Sequence, residues 1–399
     1  MGLKLGNRRI EREFVLLLIS IYTFLKIYRN SINYTEKVQG GIWNYALVFL
    51  VAFCSLTLLV HRTKRLDLTI QIAIVYAACI WMNGLLTFSI DGISGIYYYV
   101  VAPCFVPLLI FFYYSSEQEA KSNYRLWDIS WIAIFLLLLY SYINYFTSYQ
   151  YYQSAEIIAL NNSYYAACSI PYFIRKRNKF GYSMAVCAIV IVFISNKRAG
   201  LIAVALSLVA LYLVNSRMSD SFRKALKRTI LGVVVVLALL FALRYIDSHY
   251  DLNIFSRLFQ VVSDGGSGRT EIYRYVWNEI AKSDLFSLLF GHGVASVNSL
   301  SMQLSSAHND FLNVFYEYGL FAMILLVAFY YSLFRCLRMM IKRKYENSDV
   351  FACSVVMSLF FSLFAANLDN QSFSIILATY WGIEIGKWQD LQNTIALNG

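Results

Sequence analysis

Three histidines, two pairs of cations and a short run of glycines hold most of the chemistry this chain could do. The stretch "SSAHNDFLNVFYEYG" (305–319) runs from small polar residues through His308, Asn309 and Asp310 into an apolar segment. An amide and a carboxylate suit the first turn of a helix, where backbone N–H groups lack partners. That accounts for Asn309 and Asp310 but not for His308. An imidazole titrates near neutrality and can take a proton from an attacking hydroxyl. Glu317 lies nine residues on, about 13 Å deeper at helical rise. A carboxylate at that depth needs a partner, and Arg198 or Lys197 is the expected one.

Those two cations sit in "FISNKRAGLIAV" (193–204), a very short break between two apolar segments. Cations at a membrane boundary with no carboxylate beside them fit an anionic ligand, the alternative being side chains that snorkel to the interface. In "SDGGSGRTEIY" (263–273) three glycines precede Arg269, which opens an amphipathic helix. Glycine lets backbone N–H groups approach an anion, and a guanidinium offers a donor fork matched to phosphate oxygens. A plain flexible loop is the competing reading. Arg274 follows one turn later. In "FGHGVASV" (290–297) Gly291 and Gly293 flank His292 in a tight turn, where a structural role competes with a chemical one. There is no HExxH, CxxC, P-loop or GxGxxG, so neither a metal nor a nucleotide cofactor is expected.

The elements that must position these groups are membrane helices. The chain has 399 residues, 59% hydrophobic and only 14% charged, against about 25% charged in soluble domains. Apolar runs near 14–28, 42–60, 68–90, 94–114, 129–146, 157–174, 182–196, 199–215, 229–246, 309–333, 349–366 and 372–388 give twelve candidate spans. The first and seventh are short and the fourth holds Pro103 and Pro107, so the count is ten to twelve. The fold class is all-α: one polytopic membrane domain over 1–399, with its basic-led first run read as a retained helix rather than a cleaved signal. With both ends cytoplasmic, 24 of the 34 lysines and arginines fall in cytoplasmic stretches and 10 outside, as the positive-inside rule asks. The net charge of +11 therefore reads as membrane topology and not as a nucleic-acid surface.

One segment breaks the pattern. Residues 247–308, between the ninth and tenth spans, form a large external loop holding His249, His292 and His308. Within it Ile272, Val276 and Ile280 recur every fourth residue, giving a helix that lies on the membrane surface or packs as a lid on the bundle. Trp43, Trp127, Trp131, Trp381 and Trp388 are expected in interfacial belts. Asn83 and Glu384 are the few polar residues expected near the midplane. The seven cysteines all fall in or beside apolar runs and imply no disulfide framework.

The ordered set "SNKRAG", "GSGRTEIYRYVW", "LFGHG" and "AHNDFLNVFYEYG", spread over roughly 190–320, resembles bacterial O-antigen polymerases and O-antigen ligases. These form one superfamily of polytopic, GT-C-like glycosyltransferases. The first half of the chain matches only as a run of membrane helices. The resemblance implies an oligosaccharide donor on undecaprenyl pyrophosphate, used at the outer face of the inner membrane. It implies transfer to a sugar hydroxyl with inversion and without a metal. It assigns pyrophosphate to Arg198 and Arg269 and the acceptor hydroxyl to His308. Lys197, Arg274, Asn309, Glu317 and His292 are the accompanying substrate-binding candidates. Ligases often carry a second histidine two residues before the "HN" pair, and Ser306 stands there, so the polymerase is the leading expectation. Its expected partners are membrane lipid, a chain-length regulator and a flippase. A ligase, a flippase of the same pathway and a scaffold are the alternatives.

Overall fold

The computed structural model describes residues 2–32, 47, 49–55, 66–87, 102–116, 124–149, 162–195, 197–218, 241, 244–245, 269–300, 307–365, 368 and 373–398. The elements there are α1 Gly2–Ile32, α2 Leu68–Leu86, α3 Phe105–Ser115, α4 Arg125–Tyr149, α5 Ser163–Arg175 and α6 Lys179–Ile194. They continue with α7 Arg198–Met218, α8 Arg269–Lys282, α9 Leu285–Phe290, a 3-10 turn Ser296–Ser299, α10 Asp310–Lys342, α11 Ser348–Phe364 and α12 Ser374–Asn398. No strand occurs among the described residues. The protein is a polytopic, all-helical membrane protein. Four of the helices (α2, α4, α7 and α10) are individually long and apolar enough to cross a bilayer. The expected spans 42–60 and 229–246 and the glycines 265–268 lie largely or wholly outside the described residues, as does His249.

The helices begin where short polar residues can cap them. Asp67 accepts from Thr69 N at 2.8 Å and opens α2, and Asn178 accepts from Gly181 N at 2.7 Å and opens α6. They pack pairwise: α7 along α11, α12 along α3, α5 on α6, α1 on α4 and α2 on α10. The α12–α3 contact depends on small residues, because a Cβ at Gly382 would stand 2.4 Å from Leu109 O and one at Gly386 2.4 Å from Ser116 Oγ. Close backbone approach of this kind replaces the hydrophobic drive that lipid removes. Val75, Leu85, Val209 and Leu213 point outward, as lipid-facing residues do.

Two expectations change. Trp127, Trp131, Trp381 and Trp388 do not form an outward belt. All four are buried, Trp127 and Trp131 edge-on to each other and to Tyr172 and Phe173, and Trp381 donating to Ser354 Oγ at 2.9 Å. The direction each indole faces is set by packing, which run length and position in the sequence do not report. Glu384 is not a midplane group on its own: it meets Arg175 at the end of α5 (Nε–Oε1 3.3 Å) and accepts from Tyr345 and Asn347. None of the seven cysteines forms a disulfide.

Candidate functional site

His308 stands on a backbone fixed from both sides. Asn309 caps α10, its Oδ1 accepting from Phe311 N (2.9 Å) and Leu312 N (3.1 Å), while its Nδ2 donates to Leu363 O at the end of α11 (3.2 Å). Upstream, Ala307 N donates to the buried Asn313 Oδ1 at 2.8 Å. Between these anchors His308 takes φ 53°, a left-handed conformation uncommon outside glycine. Asp310 is fully buried and accepts from Ser362 Oγ and from Leu368 N at 2.8 Å. Tyr330 hydrogen-bonds the same Ser362 and Ser358, so the first turn of α10 is locked to α11 by a buried polar network.

The lid reading holds for the amphipathic stretch. Val276 and Ile280 of α8 bury against Tyr316 of α10 and Val297, with Ile272, Leu312 and Phe315 around them. Tyr273, on the same helix, places its hydroxyl 2.9 Å from Leu363 O and 3.3 Å from His308 O, donating to that pair of carbonyls. Through this contact α8 reaches the His308 backbone.

Charge converges on the imidazole. Burial, then the positive charges of Arg269 and of Lys197, hold His308 below the usual histidine range. All three causes favour the neutral ring. Arg269, the first residue of α8, also acts on the hydroxyl of Tyr273, whose acidity burial weakens, and lies in electrostatic reach of Tyr164 at the start of α5. The starts of α5, α8 and α10 and the residue preceding α7 thus gather at one end of the bundle. Arg198 opens α7 beside Lys197, half-buried.

The other candidates differ in exposure and contacts. Arg274 is exposed on α8. His292 stacks on Tyr316 with ring centroids 4.4 Å apart, and its Nε2 is 2.8 Å from Ser283 Oγ. Burial lowers the His292 pKa while Asp284 and Glu279 oppose that shift. The cations that act on His308 are not among the groups shifting His292, so the two histidines occupy different settings.

Glu317 is buried, and its main chain serves a backbone crossing. Gly293 N donates to Glu317 O (2.9 Å) and His292 N to Tyr316 O (3.0 Å). Gly291 and Gly319 both sit at φ 81°, and Gly319 breaks the helical course of α10. A Cβ on Gly291 would stand 2.3 Å from Glu317 O, and one on Gly319 2.3 Å from Leu289 O. Asn83 of α2 donates to Phe290 O and, at 3.3 Å, to Glu317 O, tying the crossing to the bundle. Gly291 of "FGHG" is therefore required by a close approach of two backbones, and Gly293 by its φ of 95°. Sequence reasoning missed Tyr273, Asn313 and Asn83 as positioning residues. The lone amide in an apolar run was the only available signal for Asn83.

Among the described residues no three His, Cys, Asp or Glu side chains gather as a metal site. Residues 183–327 match the family model described as O-Antigen ligase. The match coincides with the stretch that carries the resemblance and contains the whole His308, Arg269 and Lys197 constellation. No curated protein matches the chain.

Proposed function

With an O-antigen-ligase-like domain over residues 183–327 as the premise, we propose that the protein polymerises oligosaccharide repeat units carried on undecaprenyl pyrophosphate. The product is a surface polysaccharide such as O-antigen, capsule or exopolysaccharide. The reading places the reaction at the outer face of the inner membrane. One arrangement carries it: a histidine fixed on its backbone by Asn309 and Tyr273, largely buried and within electrostatic reach of two cations drawn from distant parts of the chain.

A neutral imidazole can accept a proton, and cations around it can hold an anion. In the proposed step the acceptor hydroxyl oxygen attacks the anomeric carbon of the donor sugar. Its proton passes to His308 as the new glycosidic bond forms. The bond to pyrophosphate breaks and its electron pair leaves on the phosphate oxygen. Arg269, with Lys197 and Arg198, receives that charge, a task for preorganised guanidinium and ammonium groups. A single displacement from the opposite face inverts the anomeric centre. Asn309 and Tyr273 act through the backbone, holding His308 in place. No step is assigned to a cofactor.

The ligase is the second reading, since the matched family is described by that activity. The two differ in acceptor. Detergent-extracted protein given lipid-linked repeat unit as the sole substrate is expected to lengthen it on the lipid, with no sealed compartment needed. Transfer seen only when lipid A core is added would make the protein a ligase. Absence of product unless vesicles are sealed would favour a flippase.

A further inference from the structure

The opposite end of the bundle carries a polar centre that sugar transfer does not use. Tyr164 and Arg175 sit at the two ends of α5, about 17 Å apart at helical rise. At the Arg175 end lies a cavity of about 560 Å³. Arg125, Arg175, Lys176 and Lys387 line it, with the phenol rings of Tyr124 and Tyr172. Asp128 and Glu346 are the carboxylates in the lining, so four cations face two anions.

This is a built wall and not a loose surface patch. Arg175 is fixed by Glu384, which is fully buried, and its guanidinium lies 5.9 Å over the Tyr124 ring and 5.8 Å over Tyr172. Lys176 is held by Asp128 and lies 5.2 Å from the Tyr172 centroid. Behind Tyr124 is a second buried cation: Arg12, 0% exposed, donates to Ser115 O at 3.2 Å and to the Tyr124 hydroxyl. Asn178 and Asn347 complete the lining with amides. Burying Arg12 and Arg175 in an apolar bundle is costly, and such groups in membrane proteins mark ligand or ion positions. The basic-residue distribution makes this the cytoplasmic end, where anionic headgroups and soluble phosphates are both at hand.

We infer that this cavity binds a phosphate mono- or diester. Guanidinium and ammonium groups line a space large enough for a headgroup, and their charge favours an anion. The inference stands apart from the sugar-transfer reading, because none of these residues belongs to the His308 constellation.

The test uses the full-length protein in mild detergent, titrated calorimetrically with dioleoylphosphatidylglycerol, with dioleoylphosphatidylcholine as control, and separately with inorganic phosphate. Binding of the glycerol lipid but not of phosphate identifies a membrane headgroup. Binding of phosphate identifies a soluble ester. In either case Arg125→Gln and Lys387→Gln should each weaken binding about fivefold, the worth of one surface cation against an anionic headgroup. Both positions leave the buried Arg175–Glu384 pair intact. Glu346→Gln should tighten binding, a sign that loss of structure would not produce. No binding of either anion, or equal affinity in the wild type and the Arg125→Gln/Lys387→Gln variant, overturns the inference.

Discussion

The two ends of the helical bundle use cations in opposite ways. At the Arg175 end they are matched with carboxylates: Arg175 with Glu384, Lys176 with Asp128, Arg177 with Asp349 at 2.5 Å. At the His308 end the charges that set the titration of the imidazole are themselves cations, Arg269 and Lys197. Matched pairs fix helices, since removing one partner strands the other in a medium that cannot solvate it. Cations gathered around a neutral base raise the local potential, the setting that the proposed transfer calls for. The contrast is between cations whose ion pairs hold the wall of the Arg175 cavity in place and cations whose charge reaches an imidazole.

Removing one group at each end should break the comparison most visibly. His308→Ala is expected to lower sugar transfer by about 10²–10⁴-fold, the usual weight of a general base, while the melting temperature changes little. Arg175→Gln should do the reverse. It leaves Glu384, fully buried, without its ion-pair partner, at a cost of about 3–5 kcal/mol, with transfer per folded molecule retained. Adding Glu384→Gln to Arg175→Gln should recover most of that stability. Thermal melts and a chain-growth assay on the same preparations read both effects. Full transfer by His308→Ala, or an inactive but stable Arg175→Gln, would erase the distinction drawn between the two ends.

The backbone crossing gives the next effect in size. Gly319 has φ 81° and ψ −178°, a region that only glycine occupies without strain. Gly319→Ala is expected to cost at least about 1–3 kcal/mol from strain alone, before the contact of its Cβ with Leu289 is relieved. Gly291→Ala meets the same crossing from the other side, so the two substitutions together should cost less than their sum. Additive losses in thermal melts would mean that the glycines serve separate features.

How much of this was legible in sequence follows from what each signal measures. Apolar run length reports burial in lipid or protein, and it placed α2, α4, α7 and α10. The four-residue recurrence of Ile272, Val276 and Ile280 located α8 but left open which surface it covers, since periodicity gives a face and no partner. The HND motif announced the cap at Asn309. Nothing local announced that His308 would turn left-handed, because that conformation comes from Asn313 and Asn309 pulling on both sides of it. The resemblance brought together positions 198, 269 and 308, and it is Lys197, the neighbour of Arg198, that acts with Arg269 on His308. The packing of α8 and α11 around the start of α10 gives that meeting a physical cause. Of the other candidates in that loop, Arg274 is exposed on α8 and His292 stacks on Tyr316.

The smallest effect probes the site end most directly. A histidine that works as a base must be neutral, so the rate falls as pH drops through its pKa in the folded protein. Burial, Arg269 and Lys197 all lower that value below the ordinary one near 6.5. The acid limb of the transfer rate should therefore lie below pH 6.5. The same depression makes the unfolded chain the better proton acceptor in that window, so stability also declines as pH falls. Lys197→Gln removes one positive neighbour and should move the limb upward toward 6.5 without reaching it, because burial and Arg269 remain. Measured on the wild type and Lys197→Gln with a common lipid-linked substrate, an unmoved limb would show that this lysine does not face the imidazole. A downward shift would mean that an anion, not a cation, governs the protonation of His308.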